Sequence, residues 1–206
     1  MIVLALDTTG TNCSVAIYDS NSGCIVGSYL KNLKRGHAEH LIPAIDSVLS
    51  YSNLDISQID RVVTALGPGS FTGVRVSISV ARGISVALGK PVLGVGNLEV
   101  LARSHLNSNP RYPVMVLVSL LHQRICCQKF SLDGIPLFDP IILNYEQARF
   151  EVDSFEGEIV GSGLSSIRGI EGEIDILPMD VLSQLGISSD CSSPSPIYLQ
   201  SSYALS

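Results

Sequence analysis

The sequence predicts an α/β protein built as two lobes, on three observations. Three short apolar runs on tight turns open the chain. A strand, a long helix, a strand and a further helix follow. A polar stretch with two prolines then separates a second half that again begins with strands. Residues 1–106 are expected to form the first lobe, 107–113 the linker, and 114–206 a smaller second lobe with an irregular Ser/Pro-rich tail.

Residues 2–7 (IVLALD) are a short run of β-formers and read as a buried strand; Cys13–Tyr18 and Cys24–Leu30 complete an antiparallel meander. His37–Tyr51 places Leu41, Ile45 and Val48 at helical spacing, with Pro43 either in the first turn or at a kink. Residues 62–66 (VVTAL) form a strand, Gly67-Pro68-Gly69 turns, and a helix runs over Phe71–Leu88 until Gly89-Lys90-Pro91 stops it. Strand Val92–Val95 and a helix from Asn97 to about His105 close the first half. Beyond the linker come strands Val114–Ser119, Arg124–Phe130 and Leu137–Leu143, then short strands, Ile159–Gly161 the clearest, and weak helical signals over 145–175.

Composition narrows the function. Of 206 residues, 46% are hydrophobic and 16% charged, which excludes a disordered chain. Thirteen Lys+Arg against nineteen Asp+Glu leave a net charge of −6, so the surface repels phosphate backbones and does not suit an autonomous nucleic-acid binder. A mean hydropathy of +0.35 with so few charges fits a protein that covers apolar surface with a partner. Five cysteines, odd in number and without a CxxC pair, point away from a disulfide framework and a four-cysteine zinc site. The opening MIVLALDTTG reads as a strand and not a leader, and the apolar run Val114–Leu121 is too short to cross a bilayer. The expectation is a cytoplasmic protein with no membrane contact.

Two loops carry candidate chemistry. Gly67-Pro68-Gly69-Ser70-Phe71-Thr72-Gly73 sits between a strand and a helix, where glycines and free N–H groups can cradle a phosphate. No Lys-Ser/Thr follows at Walker spacing, and a tight turn capped by Ser70 or Thr72 is the alternative. Asp7-Thr8-Thr9-Gly10 ends a strand and begins a hairpin; a buried aspartate capping that turn is the plain reading. His37-Ala38-Glu39-His40 has its histidines at i and i+3 rather than i and i+4, so it reads as a polar helix start and not a metal site. Cys126-Cys127 read as small strand residues rather than a redox pair.

The helix 71–88 is apolar over too much of its circumference. Val74, Ile78, Ala81, Ser85 and Leu88 share one stripe, and Val76, Val80, Ile84 and Ala87 form a neighbouring one. One stripe covers the helix's own sheet; the other needs a second partner, or the helix is sandwiched inside the chain's own core. Small residues Ser77, Ala81 and Ser85 would admit a close helix, so Ala81 is expected to face outward.

The segments MIVLALDTTG and CSVAIYD, then RGHAEHLIPAIDSVL, then VVTALGPGSFTGVRVSISVARGISVALGKPVLGVGNLEVLA resemble the TsaB (YeaZ) family of tRNA threonylcarbamoyladenosine biosynthesis proteins. Pro196-Ile197-Tyr198-Leu199 looks like that family's closing motif, with Gln200 where arginine is usual. Ser119 stands where relatives often carry aspartate. The resemblance implies an actin-like ATPase (ASKHA, ribonuclease H-like) fold with a shortened second lobe. In that fold class the Asp7 hairpin and the glycine loop hold nucleotide phosphates. Here Asp7, Thr8, Thr9, Gly67, Gly69 and Ser70 would be a vestige of that loop, with no metal and no cofactor. It implies a non-catalytic subunit that scaffolds the catalytic paralogue TsaD and the ATPase TsaE and meets tRNA only through the complex, and it leaves open whether the free chain is a homodimer or a monomer. That complex transfers a threonylcarbamoyl group from threonylcarbamoyl-AMP to N6 of adenosine 37 in tRNAs reading codons that begin with A. Pairing would use two helices, through Leu41, Ile45, Val74, Ser77, Ile78, Ala81 and Ser85. The rival reading is a free-standing ASKHA small-molecule kinase or a zinc peptidase.

Overall fold

The computed structural model describes residues 1–33, 35–108, 110–170, 175–188 and 194–197. Contacts divide the described residues into two units, Met1–Asn97 with Ile176–Ile197, and Leu98–Asp175. The first holds strands β1 (Ile2–Asp7), β2 (Asn12–Asp19), β3 (Cys24–Asn32), β4 (Arg61–Ala65) and β5 (Val92–Val95), and helices α1 (His37–Tyr51) and α2 (Phe71–Leu88). Helix α3 (Asn97–Leu106) leads into the second, with β6 (Val114–Leu120), β7 (Arg124–Phe130), β8 (Ile141–Asn144), α4 (Tyr145–Ser154), β9 (Glu158–Val160) and α5 (Ser162–Ile167). Helix α6 (Met179–Ser188) returns to the first unit.

In the first unit the sheet order is β3-β2-β1-β4-β5, with β1, β2 and β3 antiparallel and β4 and β5 parallel to β1. This meander followed by parallel crossovers is the ribonuclease H-like arrangement of actin-like proteins. Alternation along the strands gives the sheet two apolar faces. Leu4, Leu6, Val15, Ile17 and Val62 pack against Leu41, Ala44, Ile45 and Val48 of α1 and Ala81 of α2. Val63 points the other way, and a Cβ on Gly186 of α6 would lie 2.3 Å from its side chain, so α6 covers the second face. Arg61 Nη1 donates to the carbonyls of Gly186 (2.7 Å) and Ile187 (3.2 Å), closing the C-terminal end of α6. By length and composition α2 is apolar enough to span a bilayer, at a mean hydropathy of 1.3; its inner stripe packs on the sheet instead.

The second unit has the sheet β8-β7-β6-β9, with β6 and β7 antiparallel and β9 parallel to β6. Val114, Val116, Val118 and Cys126 face Leu98 and Ala102 of α3, while Met115, Leu117, Ile125 and Cys127 face Ala148 of α4 and Ile167 of α5. Adjacent strand residues point to opposite faces, so Cys126 and Cys127 lie in different layers. Burial pushes both thiols up to about 12. They are packing residues, as expected.

Several expectations are corrected. The strand expected over Leu137–Leu143 begins only at Ile141, because Pro136 and Pro140 remove ladder donors. Of the two places expected for Pro43, the structure takes the one inside α1 and not the first turn. The contacts divide at Asn97–Leu98 rather than at 107–113, since α3 packs with β6, and Ile176–Ile197 rejoins the first unit. Of the expected closing motif, Tyr198 and Leu199 lie outside the described residues.

Between β6 and β7 the loop carries His122 at φ 60° and Gln123 at φ 55°, both in the left-handed region without glycine. L-residues there cost about 1–2 kcal/mol each, offset partly by the backbone freedom that glycine loses on folding. Gln123→Gly is therefore expected to stabilise the protein by about 0.5–1 kcal/mol, read as a higher thermal midpoint with an unchanged circular dichroism spectrum.

Candidate functional site

The β1–β2 turn meets the β4–α2 loop at the C-terminal edge of the first sheet. Asp7 is 4% exposed. Its Oδ1 accepts from Thr9 N (2.8 Å) and Thr9 Oγ1 (2.7 Å). Thr9 Oγ1 in turn accepts from Asn97 Nδ2 at 2.7 Å, and the same amide donates to the Pro68 carbonyl at 3.2 Å. Asn97 Oδ1 accepts from Gly67 N at 3.1 Å. Thr8 Oγ1 donates to the Gly73 carbonyl at 2.6 Å, and Ser70 N donates to the Thr9 carbonyl at 2.6 Å. Asp7, Thr8, Thr9, Gly67, Gly69 and Ser70 are thus brought together as the sequence suggested. Asn97 is the member that sequence reasoning missed, because nothing in a lone helix-opening asparagine announces a tie across 88 residues.

The geometry closes this loop on the protein itself. A Cβ on Gly69 would lie 2.3 Å from the Thr9 carbonyl oxygen, and one on Gly73 only 1.9 Å from that of Thr8. The glycines admit the backbone of the β1–β2 turn. The N–H groups of Gly67, Ser70 and Gly73 are engaged by Asn97, Thr9 and the Ser70 hydroxyl, which caps α2 at 3.3 Å. Burial raises the Asp7 pKa, while the two Thr9 hydrogen bonds and the charge of His37 pull it down. His37 opens α1. Among the described residues no three His, Cys, Asp or Glu side chains gather at metal-binding geometry.

The second candidate is the outer face of α1 and α2. Six of the seven residues expected to meet a partner are corrected by burial. Leu41 and Ala81 are fully buried, as is Ser77, and Ile45, Val74 and Ile78 are nearly so. All belong to the unit's interior because α2 lies close on its sheet, and small Ser77 and Ala81 permit that closeness. Ser85 is half-buried, its hydroxyl donating to the Lys90 carbonyl at 2.6 Å. The outward stripe is the other one. Val76, Val80 and Ile84 are half-buried, Ala87 and Gly83 are exposed, and Ile42 of α1 is 47% exposed beside them.

Val80 stands between two hollows on this face. One, of about 410 Å³, is lined by Ala38, Phe71, Thr72, Arg75, Val76 and Ser79; the other, of about 320 Å³, by Ile42, Ile56, Gly83, Ile84, Ala87 and Leu88. The Arg75 guanidinium lies 3.7 Å over the Phe71 ring at the rim of the first. Charge divides between the helices. Helix α1 carries Glu39 and Asp46 and no Lys or Arg, whereas α2 carries Arg75 and Arg82 and no Asp or Glu. All four are exposed. This face can bind another apolar surface, and a helix pair with the same division of charge would complement it.

Comparison with known proteins is consistent across sequence and structure. The family model described as tRNA N6-adenosine threonylcarbamoyltransferase (TsaD) matches residues 26–137. The protein named tRNA threonylcarbamoyladenosine biosynthesis protein TsaB from Buchnera aphidicola subsp. Schizaphis graminum is 32% identical over 118 residues, 57% of this chain and 55% of that protein. The protein of the same name from Escherichia coli is 30% identical over 118 residues, 57% of this chain and 50% of that one. The matches thus span about half the length of these curated relatives. A crystal structure from Pseudomonas aeruginosa, described as an uncharacterized protein with similarity to peptidase YeaZ, superposes with a TM-score of 0.79. It is 26% identical and covers 97% of this chain and 99% of that one.

The raised Asp7 pKa has a signed consequence. A folded-state value above the unfolded one, about 3.9, stabilises at acid pH and loses that contribution as pH rises through the folded value. Asp7→Asn keeps an acceptor for Thr9 and removes the buried charge. Its thermal midpoint should exceed that of the wild type at pH 8, and the gap should shrink as pH falls toward 4. Unfolding curves of both proteins across that range check it.

Proposed function

The chain belongs to the TsaB/YeaZ branch of the tRNA N6-adenosine threonylcarbamoyltransferase family, and we propose that it serves tRNA threonylcarbamoyladenosine biosynthesis as a non-catalytic subunit. It pairs with a catalytic TsaD chain and works alongside the ATPase TsaE. The assembled complex moves the threonylcarbamoyl group from threonylcarbamoyl-AMP to N6 of adenosine 37. The observation that carries this reading is the outer α1–α2 face. Val76, Val80, Ile84, Ala87 and Ile42 leave it apolar on a chain otherwise short of charge, and two hollows flank Val80. The glycine loop supports the same reading, since its glycines hold the β1–β2 turn.

The test is reconstitution. The isolated chain should show no threonylcarbamoyl transfer, and its thermal midpoint should rise on adding the TsaD chain but not on adding Mg-ATP alone. Stabilisation by Mg-ATP without a partner would favour a kinase and overturn the proposal.

Two substitutions one residue apart separate docking from folding. Ala81→Glu places a carboxylate in the core, at a cost of several kcal/mol, and should unfold the protein. Val80→Glu is expected to stay folded, because its carboxylate reaches solvent in the free chain. It should lose TsaD by about 2–5 kcal/mol, roughly 30-fold or more in affinity. Circular dichroism and a binding titration on the two variants check this.

A further inference from the structure

Three glycines lie in or at the end of α2, and the fold accounts for two of them. Gly73 is required because a Cβ there would strike the Thr8 carbonyl at 1.9 Å, and Gly89 ends the helix at φ 62°. Gly83 has no such reason. It sits mid-helix, where glycine is the least favourable residue after proline. It is exposed, is absent from the positive-φ glycines, and a Cβ on it would meet nothing within 4 Å. Within this chain alanine would serve better.

The surroundings of Gly83 give it a use. Val80 at i−3 and Ala87 at i+4 lie on the same face and flank it, so its missing side chain leaves a notch in the apolar wall of the second hollow. Ile42 of α1 closes the side of that hollow. We infer that Gly83 is the position at which the backbone of a partner helix crosses α2 in close contact. This inference rests on the docking reading above and names its contact point. The occupant is a helix of the TsaD chain. The family model for that enzyme covers residues 26–137 of this chain, and so the whole α1–α2 pair; TsaD therefore carries a homologous pair of helices. On this chain the face is acidic along α1 and basic along α2, so a partner helix pair charged in the same way would meet it with opposite charges.

The experiment compares Gly83→Ala, Gly83→Leu and Val80→Glu in the full chain. It reads the thermal midpoint of the free protein at high dilution, the Kd for purified TsaD, and self-association by sedimentation. Gly83→Ala should raise the midpoint of the free chain by about 1–3 °C. It should also weaken TsaD binding by about tenfold or more, since added volume at a packed contact is poorly tolerated. Gly83→Leu should remain folded and bind more weakly still. If Gly83→Ala binds within twofold of wild type while Val80→Glu does not bind, the crossing point is wrong and the docking face stands. If all three variants bind like wild type, the docking reading falls as well. A lower midpoint for Gly83→Ala would show that the glycine serves this chain's own fold, and overturns the inference. A loss confined to self-association overturns TsaD as the occupant.

Discussion

The first unit depends on how closely the start of α2 is drawn against the β1–β2 turn. Gly69 and Gly73 face the carbonyls of Thr9 and Thr8 at distances that no side chain could share. The Thr8 hydroxyl donates into the first turn of α2, the Ser70 amide donates back to Thr9, and Asn97 ties the turn to the loop from the other side. Each of these bonds satisfies a buried polar group that would otherwise cost about 1–3 kcal/mol. Once the N-terminal end of α2 is pinned, its rotation is set. Gly73, Ser77 and Ala81 line the side nearest the sheet, where close approach needs small residues, and the bulkier Val76, Val80 and Ile84 are left at the margin and outside.

That rotation gives the protein its surface. The five-stranded sheet is already covered on its other face by α6, whose Gly186 lies against Val63 and whose final carbonyls are held by Arg61. With both faces occupied, the second apolar stripe of α2 (Val76, Val80 and Ile84) packs only at the edge of the core and stays half-exposed. The surface charge is divided between the two helices, acidic on α1 and basic on α2. The glycine loop is closed by backbone, Asp7 is held by Thr9, and Cys126 and Cys127 are separated into two layers by strand alternation.

Much of this was legible in the sequence. The first three strands, α1, α2 and the β6–β7 pair are dictated by apolar periods of 2 and 3.6 bounded by Gly, Pro and Asn, which are local properties. Helix α2 in particular begins and ends where Ser70 and Gly89 place it. Less was legible after residue 130. Pro136 and Pro140 shorten β8 to four residues, and α6 was missed although Val181, Leu182 and Leu185 are spaced for one buried face, because its Ser/Pro-rich neighbourhood masks a short helix.

The sequence by itself determined that α2 has two apolar stripes and that a turn of glycines precedes it. Which stripe looks outward was decided only by the tertiary structure. Small residues at 77 and 81 suit close packing against a partner's helix and against the chain's own sheet equally well, and nothing local distinguishes the two. Contacts across long separations settle it: Thr8 to Gly73, 65 residues apart, and Asn97 to Thr9, 88 apart, bury Ala81 and leave Val80 half-exposed at the edge of the core. Periodicity reports what faces a helix has, and only the atoms that pin its end report where those faces point.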